Sequence, residues 1–216
     1  MTGRLFLIDG SAYAYRSFHA IQRLTNAAGE PTNAVYGFAR VLLKILREHQ
    51  PDHIAVVFDA PGKTFREDIY REYKATRPPT PEDLVAQMPY IDELVRALNI
   101  ALIRVEGVEA DDVLGTLARR AATDGMEVVL VSGDKDLMQL VSDRVLLFDP
   151  AKGDKGVWYR PEDVRNRFGV PPERVPDALG LMGDSVDNVP GVRGIGEKTA
   201  KSLLETYGSI EGIYEH

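Results

Sequence analysis

Leu5-Phe6-Leu7-Ile8-Asp9 decides the fold: four apolar residues in a row, closed by an acid. A half-buried strand alternates apolar and polar residues, whereas an unbroken run suits a strand buried on both faces of a parallel sheet. The pattern returns at Ile54-Ala55-Val56-Val57-Phe58, closed by Asp59, and at Val128-Val129-Leu130-Val131, closed by Ser132-Gly133-Asp134. Val145-Leu146-Leu147-Phe148, before Asp149, is a fourth candidate, and Ile100 to Val105 a fifth. Between the runs, apolar residues step at helical spacing: Phe38, Val41, Leu42, Ile45, Leu46; Leu84, Met88, Ile91, Val95, Leu98; and Val113, Leu114, Leu117, Ala118, Ala121, closed by Gly125. Alternating strands and helices predict an α/β fold, a mostly parallel central sheet flanked by helices, over residues 1–160. After Pro150 the character changes. Pro161 and Pro171-Pro172 open short helices, and residues 161–216 read as a small helical module.

Composition bounds the function. The 216 residues carry 26 Lys and Arg against 33 Asp and Glu, a net charge of −7, and no cysteine. That excludes a disulfide framework, a cysteine nucleophile, a zinc ribbon and an iron–sulfur site. No apolar run approaches the ~20 residues of a bilayer span, and the N-terminus is no signal peptide, so a cytoplasmic protein is expected. At face value the negative charge argues against nucleic acid.

Where the acids sit alters that argument. Ligands of open α/β sheets bind at the carboxyl ends of the strands, where Asp9, Asp59 and Asp134 fall. Asp136 lies two residues beyond Asp134, so both could face one point with Lys135 turned away. Glu109, Asp111 and Asp112 open the third helix, and Asp184 and Asp187 form a further pair in the helical module. Any one of these could be a cap or a turn. Nine carboxylates converging on one edge require cations or protons to neutralise them. An all-oxygen donor set suits Mg²⁺ or Mn²⁺, and the excess of acids over one ion suggests two ions ~3.5–4 Å apart. His19, His49, His53 and His216 show no ligand spacing, which argues against zinc.

Two segments are basic. In Gly191 to Ala200, Gly194 and Gly196 allow a tight turn that exposes backbone N–H groups, flanked by Arg193, Lys198 and Lys201. The spacing is that of a helix–hairpin–helix element gripping a DNA backbone, and it fits neither a Walker A loop nor a dinucleotide fingerprint. Over about 62–81, Arg66, Tyr70, Tyr73, Lys74 and Arg77 recur at helical spacing. This predicts a basic, aromatic helix suited to single-stranded nucleic acid.

LFLIDGSAYAYRSFHA, AVVFDAPGKTFREDIYREYKATRPPTP, GVEADDVLGTLA, VSGDKDLMQLV and LMGDSVDNVPGVRGIGEKTA together resemble the 5′-nuclease domains of bacterial DNA polymerase I, relatives of the flap endonucleases. The resemblance runs from residue 4 to the last residue. It implies a PIN- or FEN-like fold with a helical arch and removal of 5′ flaps and RNA primers in replication and repair. It implies one metal site from Asp9, Asp59, Glu109 and Asp111, and another from Asp111, Asp134, Asp136 and Asp187, with Asp112 and Asp184 outside them. Arg66, Tyr73 and Lys74 fall on the arch, and Arg16 becomes a phosphate candidate. The module would hold K⁺ through backbone carbonyls. DNA would be the partner, as a 5′-flap, nicked or branched duplex, bound by a monomer at the nucleoid with no membrane involved. The family's domain runs on past the equivalent of His216, so a fragment with a polymerase beyond it, or a short relative, is expected. A catalytically inactive DNA-junction-binding relative and an RNA-directed nuclease of the same fold stay open as alternatives. Setting the nine acids aside leaves 24 acidic against 26 basic residues. The charge then no longer opposes DNA, and binding without divalent ions should be weak and salt-sensitive.

Overall fold

The computed structural model describes residues 3–22 and 24–216. In chain order, β1 (Arg4–Asp9) feeds α1 (Gly10–Ala20), α2 (Asn33–His49) and β2 (His53–Val57). Next come α3 (Phe65–Ile69), α4 (Glu82–Val85), α5 (Met88–Ala97), β3 (Ala101–Ile103), α6 (Ala110–Thr123) and β4 (Glu127–Val131). A 3₁₀ turn at Asp136–Leu140 leads to β5 (Val145–Asp149) and β6 (Val157–Tyr159). α7 (Pro161–Phe168), α8 (Val175–Met182), α9 (Glu197–Tyr207) and α10 (Ile210–Tyr214) follow.

The sheet order is β3-β2-β1-β4-β5-β6. The first five strands are parallel, and β6 runs antiparallel to β5. The chain builds outward from β1 to β3 and then returns to the other side of β1 as β4. That reversal opens a crevice at the carboxyl ends of β1 and β4. Asp9 closes β1, and Ser132-Gly133-Asp134 follows β4, so both edges of the crevice carry acid.

Both faces of the sheet are covered, which is why the strands read as unbroken apolar runs. Phe6, Ile8, Val56 and Val131 face Tyr13 of α1, Phe38 and Leu42 of α2 and Ile91 of α5. Leu7, Val57, Val128 and Leu130 face the other way, onto Leu114 and Ala118 of α6. The same cluster takes in Val164 and Phe168 of α7, Leu181 of α8 and Leu204 of α9. Among the described residues no helix is long and apolar enough to cross a membrane.

Two helical expectations are corrected. The pattern from Leu84 to Leu98 forms two helices, α4 and α5, rather than one. Pro89 sits in the first turn of α5, and Gln87 turns wholly inward to cap another helix. Its Oε1 accepts from the N–H of Ala34 at 2.8 Å and of Val35 at 3.3 Å, at the start of α2. The basic helix expected from Arg66 to Arg77 also stops early, because α3 ends at Ile69. Residues 71–76 are turns, and Lys74 has a left-handed backbone with φ +56°.

Gly183 and Gly191 form the neck of the loop that carries Asp184 and Asp187. A Cβ on Gly191 would lie 2.2 Å from the Met182 carbonyl carbon, and one on Gly183, itself at φ +70°, 2.3 Å from the Gly191 nitrogen. Backbone against backbone has no rotamer to yield. Gly191→Ala is therefore expected to cost about 3 kcal/mol, a fall in melting temperature of about 10 °C. Gly196→Ala is the control: its Cβ meets nothing within 4 Å and its φ is −100°, so the loss should be only that of a weaker α9 N-cap, about 1 kcal/mol or about 3 °C.

Candidate active site

Five carboxylates meet at the crevice. Asp9 is 4% exposed and accepts from the Ala12 N–H at 2.9 Å, which caps α1, and from the Ser132 hydroxyl at 2.8 Å. Asp59 stands just after β2; its N–H donates to Ser11 Oγ and its carboxylate accepts from the Ala110 N–H at 2.8 Å. It thereby ties the sheet to α1 and α6. Glu109 precedes α6 and is 8% exposed. Asp111 lies one residue into α6, and Asp134 is held by its own N–H on Ser132 Oγ at 3.1 Å.

Their electrostatics show the crowding. Burial, then the charges of Asp9, Asp134, Asp59 and Glu109, push the Asp111 carboxyl up to about 8. Burial also lifts Asp9 to about 6, against the Ala12 and Ser132 hydrogen bonds. Burial and Asp134 raise Asp136 as well.

The remaining acids, and Glu109 among the five, are paired with cations. Arg66 holds Asp112 through two hydrogen bonds of 2.5 and 2.8 Å, which keeps that carboxyl below its usual range. Lys74 Nζ lies 2.6 Å from Glu109, and its backbone N–H donates to the Asp187 carbonyl at 2.9 Å. The Tyr73 hydroxyl sits between Glu109 at 3.0 Å and Asp187 at 2.9 Å, and Arg77 also pairs with Asp187. Asn188 Nδ2 donates to the Glu72 carbonyl at 2.7 Å. These bonds pull residues 72–77 down onto the acids. They explain why helical spacing fails there: the ties reach partners 35 to 116 residues away.

Lys135 departs from its expected place. It faces inward, 2.6 Å from Asp184 and 3.1 Å from Asp136, because Asp136 opens a 3₁₀ turn in which a strand's alternation does not apply. Sequence spacing gave no signal for that contact. Among the described residues no three Asp, Glu or His side chains stand close enough to hold an ion as placed here. The donor chemistry nevertheless fits hard divalent cations: oxygen ligands only, with a buried acid excess that nearby cations only partly neutralise.

The expected DNA contacts are scattered. Arg16 is held by buried Asp149 at 3.0 and 3.1 Å, beside Gly133 and the Asp134 loop. Arg77 lines the cleft, whereas Tyr70 does not. Arg193, Gly194 and Gly196 on the hairpin before α9, and Lys198 in the first turn of α9, are exposed and do not line the cleft. Lys201 turns to α7, donating to the Asn166 carbonyl at 2.7 Å. Gly194 adopts φ +85°, the conformation its turn requires. The cleft itself has a volume of about 770 Å³. Its wall also includes Arg119 and Arg120 of α6 and Arg167 of α7, which the sequence reading did not single out.

Residues 4–169 match the family model described as 5′-3′ exonuclease, N-terminal resolvase-like domain, and residues 170–216 match 5′-3′ exonuclease, C-terminal SAM fold. The chain belongs to the 5′-3′ exonuclease family. A 5′-3′ exonuclease of Aquifex aeolicus is 45% identical over 98% of this chain and 72% of its own length. DNA polymerase I of Bacillus subtilis is 48% identical over 98% of the chain, which spans 24% of that polymerase. The flap endonuclease of bacteriophage T5, solved as a pseudo-enzyme-product complex with DNA and metal ions, has the same fold. Its TM-score is 0.77 at 21% identity, over 99% of this chain and 78% of that one. Family membership makes this chain a nuclease of the 5′-3′ exonuclease type, and the crevice at the β1–β4 reversal is the place in its fold where acids converge.

Proposed function

We propose that this exonuclease-family chain hydrolyses DNA phosphodiester bonds at 5′ flaps and 5′ ends, RNA primers included, in replication and repair. The observation that carries the reading is the cluster of Asp9, Asp59, Glu109, Asp111 and Asp134 at the sheet reversal, beside a basic arch segment. Asp9, Asp59, Glu109 and Asp111 would hold one Mg²⁺ or Mn²⁺. Asp111, Asp134, Asp136 and Asp187 would hold a second, with Asp112 and Asp184 supporting them. Divalent ions bound there would supply a nucleophile from water at neutral pH and neutralise charge on the leaving oxygen.

The chain's own residues do the rest. Lys74 and Arg66 exchange their carboxylate partners for the substrate phosphate and stabilise its charge. Tyr73 offers a face for a splayed base, and Tyr70 and Arg77 extend that surface along the strand. Arg16, oriented by Asp149, meets a phosphate beside the Asp134 loop. In this reading residues 1–160 form the nuclease core. Residues 161–216 grip the duplex backbone through the hairpin of Arg193, Gly194, Gly196 and Lys198, with Lys201 bracing α9 and K⁺ on hairpin carbonyls.

The test is Asp134→Asn on a labelled 5′-flap duplex with Mg²⁺. Cleavage should fall at least about 100-fold. Near-normal cleavage would remove the two-ion assignment.

A further inference from the structure

We propose that the groove leading from the acids along α6 carries the single-stranded phosphate backbone of the 5′ flap, held by Arg119, Arg120 and Arg167. The inference rests on the nuclease reading above and specifies where its flap strand runs. The cleft does not end at the carboxylates. Beyond them its walls are Gly115, Thr116, Arg119 and Arg120 of α6, Gln139 and Leu140 of the 3₁₀ turn, and Arg167 of α7. A second depression of about 590 Å³ shares Gly115, Arg119, Gln139 and Leu140 and continues along the same helix.

Helix geometry makes this a directed path. Asp112, Gly115, Thr116 and Arg119 stand at i, i+3, i+4 and i+7, so they share one face of α6. Asp112 sits at the acid end, and Arg119 lies about 10 Å further along the axis. Between them the side chains are small, so the floor stays low. A Cβ added to Gly115 would already reach within 3.4 Å of Leu140. Gly115 thus lets α6 close onto the 3₁₀ turn at Leu140, and the groove runs over that contact.

Of the cations that line the cleft, these arginines are the ones left for an outside anion. Arg66, Lys74, Arg77 and Lys135 are all committed to carboxylates. Among the described residues the guanidinium groups of Arg119 and Arg120 make no hydrogen bond or ion pair, and both side chains are exposed. Arg167 has one loose partner, Glu197 at 3.8 Å, and otherwise lies over the Phe168 ring. Past the arch no aromatic residue among the described ones lines the groove. Recognition there would be of phosphates rather than stacked bases, indifferent to sequence and sensitive to salt.

The experiment compares Arg119→Ala/Arg120→Ala with the unaltered chain on nicked duplexes bearing a one-nucleotide or a ten-nucleotide 5′ flap. For the long flap, KM should rise about tenfold. The slope of log affinity against log salt should flatten by about 1.4, as loss of two single-strand phosphate contacts requires. The one-nucleotide flap should be cleaved as before. Adding Arg167→Ala should deepen the long-flap effect alone. An equal loss on both substrates would place these arginines on the duplex and overturn the assignment, as would no loss on either. Equilibrium binding to the same two duplexes, read by fluorescence anisotropy with Ca²⁺ in place of Mg²⁺, separates this inference from the nuclease reading. If no flap is cut, loss of the long-flap binding advantage in the variant still supports the groove, and its persistence overturns it.

Discussion

Replacing Asp111 by asparagine should abolish cleavage and, at the same time, raise the melting temperature of the metal-free protein. The two effects share one cause. Asp111 is pressed among Asp9, Asp134, Asp59 and Glu109, and burial with their charges lifts its carboxyl to about 8. Among the described residues nothing donates a hydrogen bond to it in compensation. A carboxyl whose pKa is raised on folding binds its proton more tightly folded than unfolded. Stability from this group is therefore retained below about pH 4 and lost as pH climbs from there to about 8. Asparagine keeps the shape of the protonated form at every pH. In EDTA at pH 8 the variant should melt higher by on the order of 5 °C, and the gain should vanish near pH 4. The same substitution removes an oxygen ligand assigned to both cations, so Mg²⁺ should stabilise the variant less than the parent and turnover should fall by about 1,000-fold. Scanning calorimetry with and without Mg²⁺, alongside the flap assay, reads all three. A lower melting temperature in EDTA would mean that Asp111 supports the fold and is not strained within it.

What made the acids legible in the sequence was the sheet. A parallel strand buried on both faces ends where the apolar run ends, so Asp9, Asp59 and Asp134 could be placed at one edge from the sequence alone. β6 could not be found the same way: Val157–Tyr159 is three residues of an antiparallel edge, too short for a period. α1 was missed because Gly10–Ala20 carries small and aromatic residues with no clean apolar stripe. The arch segment had the right residues in the wrong shape. Spacing from Arg66 to Arg77 describes a helix only if local hydrogen bonds win. Here ion pairs to Glu109, Asp112 and Asp187 win, and they bend the chain through Lys74. Lys135 was misplaced for a related reason, since its partner Asp184 is 49 residues away and no local pattern announces it. Gly183 and Gly191 carried a signal that went unread: a glycine at each end of an acidic loop marks two backbones in contact.

Lys74→Ala should move stability and rate in one direction, unlike Asp111→Asn. Lys74 is held at φ +56°, a conformation that costs a non-glycine residue about 1 kcal/mol, and its side chain neutralises Glu109 at 2.6 Å. Alanine keeps the strained backbone and leaves Glu109, 8% exposed, without its nearest cation. In EDTA the variant should therefore melt lower by a few degrees, and Mg²⁺, which neutralises the same acid, should recover most of the difference. Mg²⁺ should not recover turnover. If Lys74 leaves Glu109 to bind the substrate phosphate, its charge acts on the reacting group, and kcat should fall about 100- to 1,000-fold while KM stays within a few-fold. Arginine at the same position should restore the melting temperature and only part of the rate, because a planar fork does not replace a point charge. A variant that regains its full kcat once Mg²⁺ restores its stability would make Lys74 a tie between the arch and Glu109, and would leave Arg66 as the only arch cation acting on the phosphate.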